Sequence, residues 1–158
     1  MNIENFKSLM DGFDPASLLP ELDSVFSRFV PAARIVVMLG PAVLLLMALI
    51  YLVAVPKEAN YYLGYRCYYG MGSVEAWQFT QRLAGIVFGA LGLVLGIIMW
   101  LISNSFAELE MMDLLWKTVY CLGGEAVAVA VACLSINTVA AVRFDSRGDL
   151  RKNKKKRR

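Results

Sequence analysis

The side chains that could do chemistry are concentrated between Asn60 and Gly85, in the stretch NYYLGYRCYYGMGSVEAWQFTQRLAG. It combines five tyrosines, two arginines and one glutamate, and it lies between two long apolar runs. Tyrosine and arginine side chains are typical of binding surfaces and of lipid-headgroup depth. The chain contains no histidine, and no nucleophile–base pair or phosphate-binding loop accompanies these residues. The stretch therefore predicts binding, and neither a catalytic residue nor a cofactor is expected.

A metal site is not predicted either. The three cysteines, Cys67, Cys121 and Cys133, show no CxxC spacing, and such cysteines ordinarily serve as small apolar packing residues. Glu125 and Asn137 are different, because they interrupt an apolar run. A carboxylate in such a place is a candidate for an ion or proton role. Snorkelling or a hydrogen bond to a neighbouring helix explains it equally well.

Three apolar segments must position these residues. The chain is 58% hydrophobic and 18% charged, with a mean hydropathy of +0.55, whereas soluble domains are less apolar and more charged. Each segment is long enough to cross a hydrocarbon core of about 30 Å at ~1.5 Å per residue. We therefore predict an all-α integral membrane protein with three transmembrane helices preceded by short amphipathic interfacial helices. The spans are predicted at about 35–55, 83–102 and 119–142.

The predicted divisions of the chain follow from these spans. Residues 1–33 form an acidic segment in which apolar residues recur at helical spacing, which favours amphipathic helices resting on the headgroups. Residues 34–142 form the membrane domain. Residues 143–158 form a polybasic tail, which we expect to be disordered.

One face of the second span consists of glycines. They fall four, three and four residues apart, so they form two overlapping GxxxG patterns. Glycines let helix backbones approach closely, which is how membrane helices associate. The face therefore packs against a helix of the same chain or of a second copy, and packing within the chain is favoured. Its members are Gly85, Gly89, Gly92 and Gly96.

Two helical patterns meet within the central stretch. Five tyrosines between residues 61 and 69 fall on one face of a helix, which suits headgroup depth, and the glycines at 70 and 72 must end that helix. Ser73 is a good N-cap for a new helix, and Glu75 in its first turn suits the positive helix end. We expect that helix to continue unbroken through Trp77 into the second span.

The charges predict the orientation in the membrane. Residues 143–158 hold nine Lys/Arg against two Asp, a charge of +7, whereas the whole chain carries +3. By the positive-inside rule this tail is cytoplasmic, which places the N-terminus outside and residues 56–82 inside. The acidic 103–118 loop agrees with an outside position. We expect the tail to contact anionic headgroups, and we favour this over nucleic-acid binding because no aromatic platform accompanies it.

The central stretch resembles the signature of the SdpI family, which consists of bacterial membrane immunity proteins. That signature reads approximately N-x-x-x-G-[IY]-R-T-P, then a serine and acidic stretch, then W and H-R-x-x-G. The resemblance is close over residues 60–85 and extends to the arrangement of spans over 35–142. The residues that match in order and spacing are Asn60, Gly64, Tyr65, Arg66, Ser73, Glu75, Trp77, Arg82 and Gly85.

The resemblance implies functional, mostly architectural roles for these residues, as a polar network under the bundle. Tyr65 is expected, with the other tyrosines, to form part of an interfacial anchor. The chain departs from the family pattern at three positions, with Cys67 for threonine, Tyr68 for proline and Gln81 for a frequent histidine.

The resemblance also implies a function. It predicts a non-enzymatic protein of the bacterial plasma membrane that protects the cell against a secreted toxin or antimicrobial peptide and docks a cytoplasmic regulator. Besides the bilayer, the expected partner is a toxin, another membrane protein or a second copy of the chain. The alternative is a structural or accessory subunit of a larger bacterial membrane complex.

Overall fold

Three long helices make up most of the protein. The computed structural model describes residues 19–55, 58–59 and 62–151, and side chains from residue 28 onward. The helices are α1 (Leu19–Leu49), α2 (Val74–Ser103) and α3 (Met111–Arg143). A π-helical turn, Ile50–Ala54, continues α1, and a 3-10 helix, Asn104–Glu108, leads from α2 towards α3. In the described part of the chain all three are long and apolar enough to cross a membrane. The predicted all-α fold with three transmembrane helices is confirmed.

The helices extend beyond the predicted apolar segments. Residues 19–33 belong to the same helix as the first span, so this part of the lead-in forms no separate interfacial helix. The rest of that prediction, residues 1–18, lies outside the described residues, as do Asn60 and the lysine-rich end of the tail. At its other end, α1 gives way to an extended Val55, the conformation that a following proline favours.

The glycine face of α2 packs against α1 of the same chain, as favoured from the sequence. A Cβ atom at Gly85 would lie 2.7 Å from the side chain of Leu52, and one at Gly92 would lie 3.1 Å from the carbonyl oxygen of Pro41. A side chain at either position would require the facing segment to shift. The looser contacts are Gly89 with Ala48 and Gly96 with Pro41, at 3.4 and 3.7 Å from the corresponding Cβ positions.

The end of the bundle that carries the 3-10 helix is closed by two basic side chains. Arg34 Nε of α1 donates to the carbonyl oxygen of Ser103 (3.1 Å), at the last turn of α2, where carbonyls lack helical donors. Lys117 Nζ of α3 donates to Ser105 Oγ (2.8 Å). Phe106 of the 3-10 helix is fully buried beneath this connection. The two hydrogen bonds hold all three helices together at this end.

The chain between α1 and α2 forms a folded loop, residues 62–73, which we call the docked loop. Residues 62–67 are not helical and residues 68–71 form a turn, so the tyrosine helix predicted from spacing is wrong. The Ser73 cap is confirmed, because its side chain accepts a hydrogen bond from the Ala76 amide and Glu75 lies in the first turn. The unbroken helix through Trp77 into the second span is confirmed as well.

The first part of the tail is ordered. Phe144 is fully buried and pairs with Leu150 as an isolated antiparallel bridge. We call residues 144–150 the C-terminal turn. The predicted disorder of the tail is therefore wrong for these residues, because a buried aromatic ring outweighs the local charge.

Candidate functional site

The docked loop is attached to α2 through the side chain of Gln81. The Tyr65 amide donates to Gln81 Oε1 and Gln81 Nε2 donates to the Tyr65 carbonyl oxygen, each at 2.7 Å. Gln81 is only 2% exposed, so its carboxamide has exchanged water for these two partners. A carboxamide carries one acceptor and one donor group, which match the two backbone groups of a single residue. Gln81 thus gives the backbone of Tyr65 the two hydrogen bonds that a neighbouring β-strand would provide.

Gly64 lets the loop approach α2 at this point. Its φ of +123° is a conformation that side-chain-bearing residues rarely adopt. A Cβ atom here would also lie 2.7 Å from the ring of Trp77, which is itself fully buried. The loop backbone therefore rests directly on the indole, and glycine is required both by the backbone angle and by the contact.

The side chain of Tyr65 then connects the loop to the other two helices. Its ring meets Tyr51, in the π-helical turn after α1, and Phe88 of α2 edge-on, at centroid distances of 6.4 and 5.8 Å. Its hydroxyl donates to Asn137 Oδ1 of α3 (3.0 Å) and lies 3.2 Å from the Cys133 carbonyl oxygen. One side chain from the loop therefore contacts every transmembrane segment.

Tyr65 is a hydrogen-bond donor here and not a base. Burial raises the pKa of its hydroxyl above the ordinary value, because a phenolate loses hydration in this site. The hydroxyl stays protonated throughout the physiological range and keeps its bond to Asn137.

The turn that follows packs against α2 through small groups. The Gly70 amide lies 3.1 Å from the Cys67 carbonyl oxygen and 3.3 Å from its sulfur. A Cβ atom at Gly70 would lie 2.7 Å from Thr80 Oγ1. Thr80 is fully buried, and its hydroxyl donates to the Ala76 carbonyl oxygen at 2.8 Å. Cys67 is thus a packing and turn residue, as its sequence context predicts.

Ser73 joins the docked loop to the C-terminal turn. Its Oγ accepts from the Ala76 amide (3.1 Å) and donates to the Gly148 carbonyl oxygen (2.8 Å). Gly72 allows the close approach, since a Cβ atom there would lie 2.7 Å from the carbonyl carbon of Arg147. A single hydroxyl therefore caps α2 and fixes the tail beside it.

The C-terminal turn is organised by Asp145. Its Oδ1 accepts from the amides of Arg147 (2.9 Å) and Asp149 (3.0 Å), which is the local bonding that aspartate favours in turns. Gly148 follows with a φ of +79°. The turn is anchored by Phe144, whose ring lies 5.5 Å from that of Phe79 on α2.

A cation lies over the same aromatic pair. The guanidinium carbon of Arg143 lies 4.1 Å from the centroid of the Phe79 ring, within cation–π distance. An open pocket lies next to this cluster, where the docked loop meets the C-terminal turn. It is lined by Tyr69, Asp145, Ser146 and Arg151.

The structure divides the predicted site residues into three groups. Gly64, Ser73 and Trp77 belong to the docking contacts described above. Arg66, Glu75 and Arg82 have exposed side chains, and Gly85 belongs to the helix-packing face. The hydrogen bonds that dock the loop onto the helices come mainly from Tyr65, Gln81 and Asn137, and Ser73 adds the bond to the C-terminal turn.

The sequence patterns do not predict the roles of two of those residues. Tyr65 shares the spacing of the interfacial tyrosines, and Gln81 departs from the family pattern. A signal for Gln81 was present, because it lies four residues after Trp77 and seven before Phe88, on the apolar face of α2. A lone carboxamide on such a face needs a buried partner.

Glu125 and Asn137 have different surroundings and lie at different levels of α3. Asn137 accepts from Tyr65, whereas Glu125 lies twelve residues earlier on α3, ~18 Å along the axis. Glu125 is buried and its Oε1 has no hydrogen-bond partner. Its carboxyl group lies against Gly40 of α1.

The arrangement is suited to holding a surface in place. The side chains that dock the loop through hydrogen bonds, Tyr65, Gln81 and Asn137, are neutral, and among the described residues no three His, Cys, Asp or Glu side chains gather as metal ligands. Outside the anchored backbone, Tyr62 and Tyr68 are 94% and 73% exposed. The docked loop therefore presents exposed aromatic side chains on a fixed backbone.

Comparison with known proteins gives one match. The family model for the SdpI/YfhL protein family matches residues 57–137, just over half of the chain. The matched region holds the docked loop, α2 and most of α3. No curated protein and no solved structure matches the chain.

Proposed function

Because the chain belongs to the SdpI/YfhL family, we propose that it is a non-enzymatic immunity or sensing protein of the bacterial plasma membrane. It protects the cell against a secreted toxin or antimicrobial peptide. The observation that carries this proposal is the docked loop, which lies in the matched region and is attached through Tyr65 to α2, α3 and the π-helical turn that follows α1. A loop held in one conformation loses little entropy when a partner binds it.

The outer side of the docked loop is the proposed recognition surface. It presents Tyr62, Arg66 and Tyr68 to the surroundings. Tyrosine and arginine are the side chains most often responsible for binding energy in interfaces. Tyr68 is kept in place by edge-on contact with Tyr69, at a centroid distance of 5.2 Å.

The proposed orientation places this surface in the cytoplasm. The Ser73–Gly148 hydrogen bond puts the docked loop at the same end of the bundle as the basic tail. The opposite end carries Glu108, Glu110 and Asp113. The positive-inside rule then favours a cytoplasmic loop and an external N-terminus. The surface would accordingly dock a cytoplasmic regulator, while the tail contacts anionic lipid headgroups.

Cysteine accessibility tests this orientation. In a variant whose native cysteines are replaced, Ala107→Cys and Ser146→Cys put exposed thiols at opposite ends of the bundle. An impermeant thiol reagent should label the first in intact cells and the second only in inside-out vesicles. The reverse pattern would overturn the orientation without touching the family assignment.

A tolerance assay tests the function. The wild type is expressed in a sensitive strain, which is then exposed to secreted peptides encoded beside the gene. Survival should rise with the wild type and fall with Arg66→Ala at matched membrane levels, because Arg66 lies on the recognition surface. Tyr120→Ala removes an exposed aromatic ring from α3 and should protect as well as the wild type. Equal killing of cells with the wild type and with empty vector would contradict the proposal.

One observation favours the second candidate, an accessory subunit of a membrane complex. Gly123 and Gly124 of α3 have nothing within 4 Å of their Cβ positions, so their backbone is open to a helix of another subunit or of a second copy. In that case Gly123→Leu would remove a membrane subunit that copurifies in fixed stoichiometry. If the protein acts alone, the same variant leaves tolerance unchanged.

A further inference from the structure

The carboxyl group of Glu125 lies against a glycine of the facing helix. The residue is 6% exposed, and a Cβ atom on Gly40 of α1 would overlap its Oε2. Neighbouring α2 contributes glycine and apolar side chains at this level, because Gly92 and Gly96 pack on Pro41. The carboxyl group is therefore enclosed by the backbone of α1, its own helix and apolar surface.

The facing turn of α1 supplies a hydrogen-bond acceptor without a donor. Pro41 lies inside α1 and has no amide hydrogen, so the carbonyl group of Val37 loses its helical partner. Val37 and Pro41 are both buried, so water does not replace that partner freely. On the other side of the contact, Glu125 Oε1 has no hydrogen-bond partner. An ionised carboxylate can only accept, so a proton on Glu125 would provide the donor that this buried turn of α1 lacks.

The cations near this site are engaged elsewhere. On α3, Lys117 lies two turns before Glu125 and donates to Ser105, and Cys121 lies one turn before it. On α1, Arg34 lies six residues before Gly40 and donates to the Ser103 carbonyl oxygen. The residues of α2 that pack at this level carry no ionisable group. No charge from the described helices compensates a carboxylate here.

The depth of the site makes an uncompensated charge costly. Glu125 follows Lys117 by eight residues and precedes Arg143 by eighteen, which is ~12 Å and ~27 Å along the helix. It therefore lies within the apolar span, nearer the end that carries the 3-10 helix. Carboxylates in such surroundings become neutral unless they find a partner.

We infer that Glu125 is a proton-binding site. It holds a proton at neutral pH, and its hydroxyl donates to the carbonyl oxygens of α1 at the Pro41 turn, joining α3 to α1. Binding the proton completes the hydrogen bonding on both sides of the contact. Release of the proton leaves a lone charge between the two helices and weakens their contact. A metal ion fits less well, because one carboxylate supplies few of the oxygen ligands that such ions require.

Infrared difference spectroscopy tests the site on the whole protein in lipid nanodiscs. At neutral pH, the spectrum of the wild type minus that of Glu125→Gln should show the carbonyl band of a protonated carboxyl group, shifted in D2O. The control is Glu108→Gln, an exposed residue, whose difference spectrum should show carboxylate bands instead. Carboxylate bands for Glu125, whether or not sodium changes them, would overturn the inference.

A second measurement needs no variant. Dicyclohexylcarbodiimide, which is apolar, adds the O–H group of a protonated carboxylic acid across its C=N bond. Peptide mapping of the wild type should find the adduct on Glu125 at neutral pH, and its yield should fall as the pH is raised. Equal labelling at every pH would contradict a proton held at this carboxyl group.

Discussion

The side chain of Gln81 forms two hydrogen bonds, each 2.7 Å long, with the backbone of Tyr65. Both residues lie in the family-matched region, and the pair joins a non-helical loop to the start of a transmembrane helix. The loop therefore has a defined position although it contributes no secondary structure of its own. Its outer side chains are presented as a fixed surface because of this attachment.

Gly64 is expected to tolerate no side chain. Gly64→Ala forces an unfavourable φ and a contact with Trp77, which should lower the free energy of unfolding by roughly 1–3 kcal/mol. Equilibrium unfolding in mixed micelles measures this. Gly123→Ala is the matched control, because its Cβ meets nothing and alanine favours a helix by ~1 kcal/mol. If the two variants change the free energy of unfolding equally, the loop does not rest on the indole.

The Tyr65 hydroxyl should couple to Asn137. Tyr65→Phe keeps the ring contacts with Phe88 and removes the donor, at an expected loss of roughly 0.5–1.5 kcal/mol. Asn137→Ala removes the acceptor, and the double variant should lose less than the sum of the two single losses. Tyr120→Phe, on an exposed tyrosine, should change nothing. Strictly additive losses would contradict the hydrogen bond.

The same hydroxyl should make stability depend on alkaline pH. Burial raises the pKa of Tyr65 in the folded protein above its ordinary value of 10.0. Above that pH the unfolded chain loses this proton while the folded protein keeps it, so stability falls as the pH rises. The contribution is complete below pH 10. The difference in unfolding free energy between wild type and Tyr65→Phe should therefore shrink as the pH is raised above 10, and a constant difference would contradict the assignment.

The membrane spans and the start of α2 could be predicted from the sequence because their causes are local. A run of apolar residues long enough to cross a bilayer needs no distant partner. Ser73 caps α2 by accepting a hydrogen bond from an amide only three residues away. The glycine face also follows from spacing alone. In each case the residues that decide the structure are neighbours in the sequence or repeat with the helical period.

The docked loop could not be predicted in this way. The tyrosine spacing fits a helix, but the partner of Tyr65 is a side chain sixteen residues away, and the left-handed backbone at Gly64 breaks the helix. Gln81 and Asn137 meet Tyr65 only after the helices have packed. The C-terminal turn was missed for a similar reason, because the burial of Phe144 depends on Phe79 and the basic residues around it indicate a solvated tail.

Ser73 should control the order of the tail. Ser73→Ala removes the cap of α2 and the bond to Gly148, with an expected loss of roughly 0.5–2 kcal/mol for the cap. Limited trypsin digestion in nanodiscs should then cut faster after Arg147. Ser146→Ala changes an exposed serine in the same turn and should leave the rate as in the wild type. An unchanged cleavage rate in Ser73→Ala would show that the Ser73 hydroxyl does not hold the tail in place.

Hydrogen exchange at the Tyr65 amide tests most directly whether the docked loop is fixed to α2. Gln81→Ala removes the acceptor of this amide and leaves the backbone of α2 intact, whereas Val94→Ala shortens an exposed side chain on the same helix. We expect slow exchange in the wild type and in Val94→Ala, and fast exchange in Gln81→Ala. Fast exchange of the Tyr65 amide in the wild type would contradict the account.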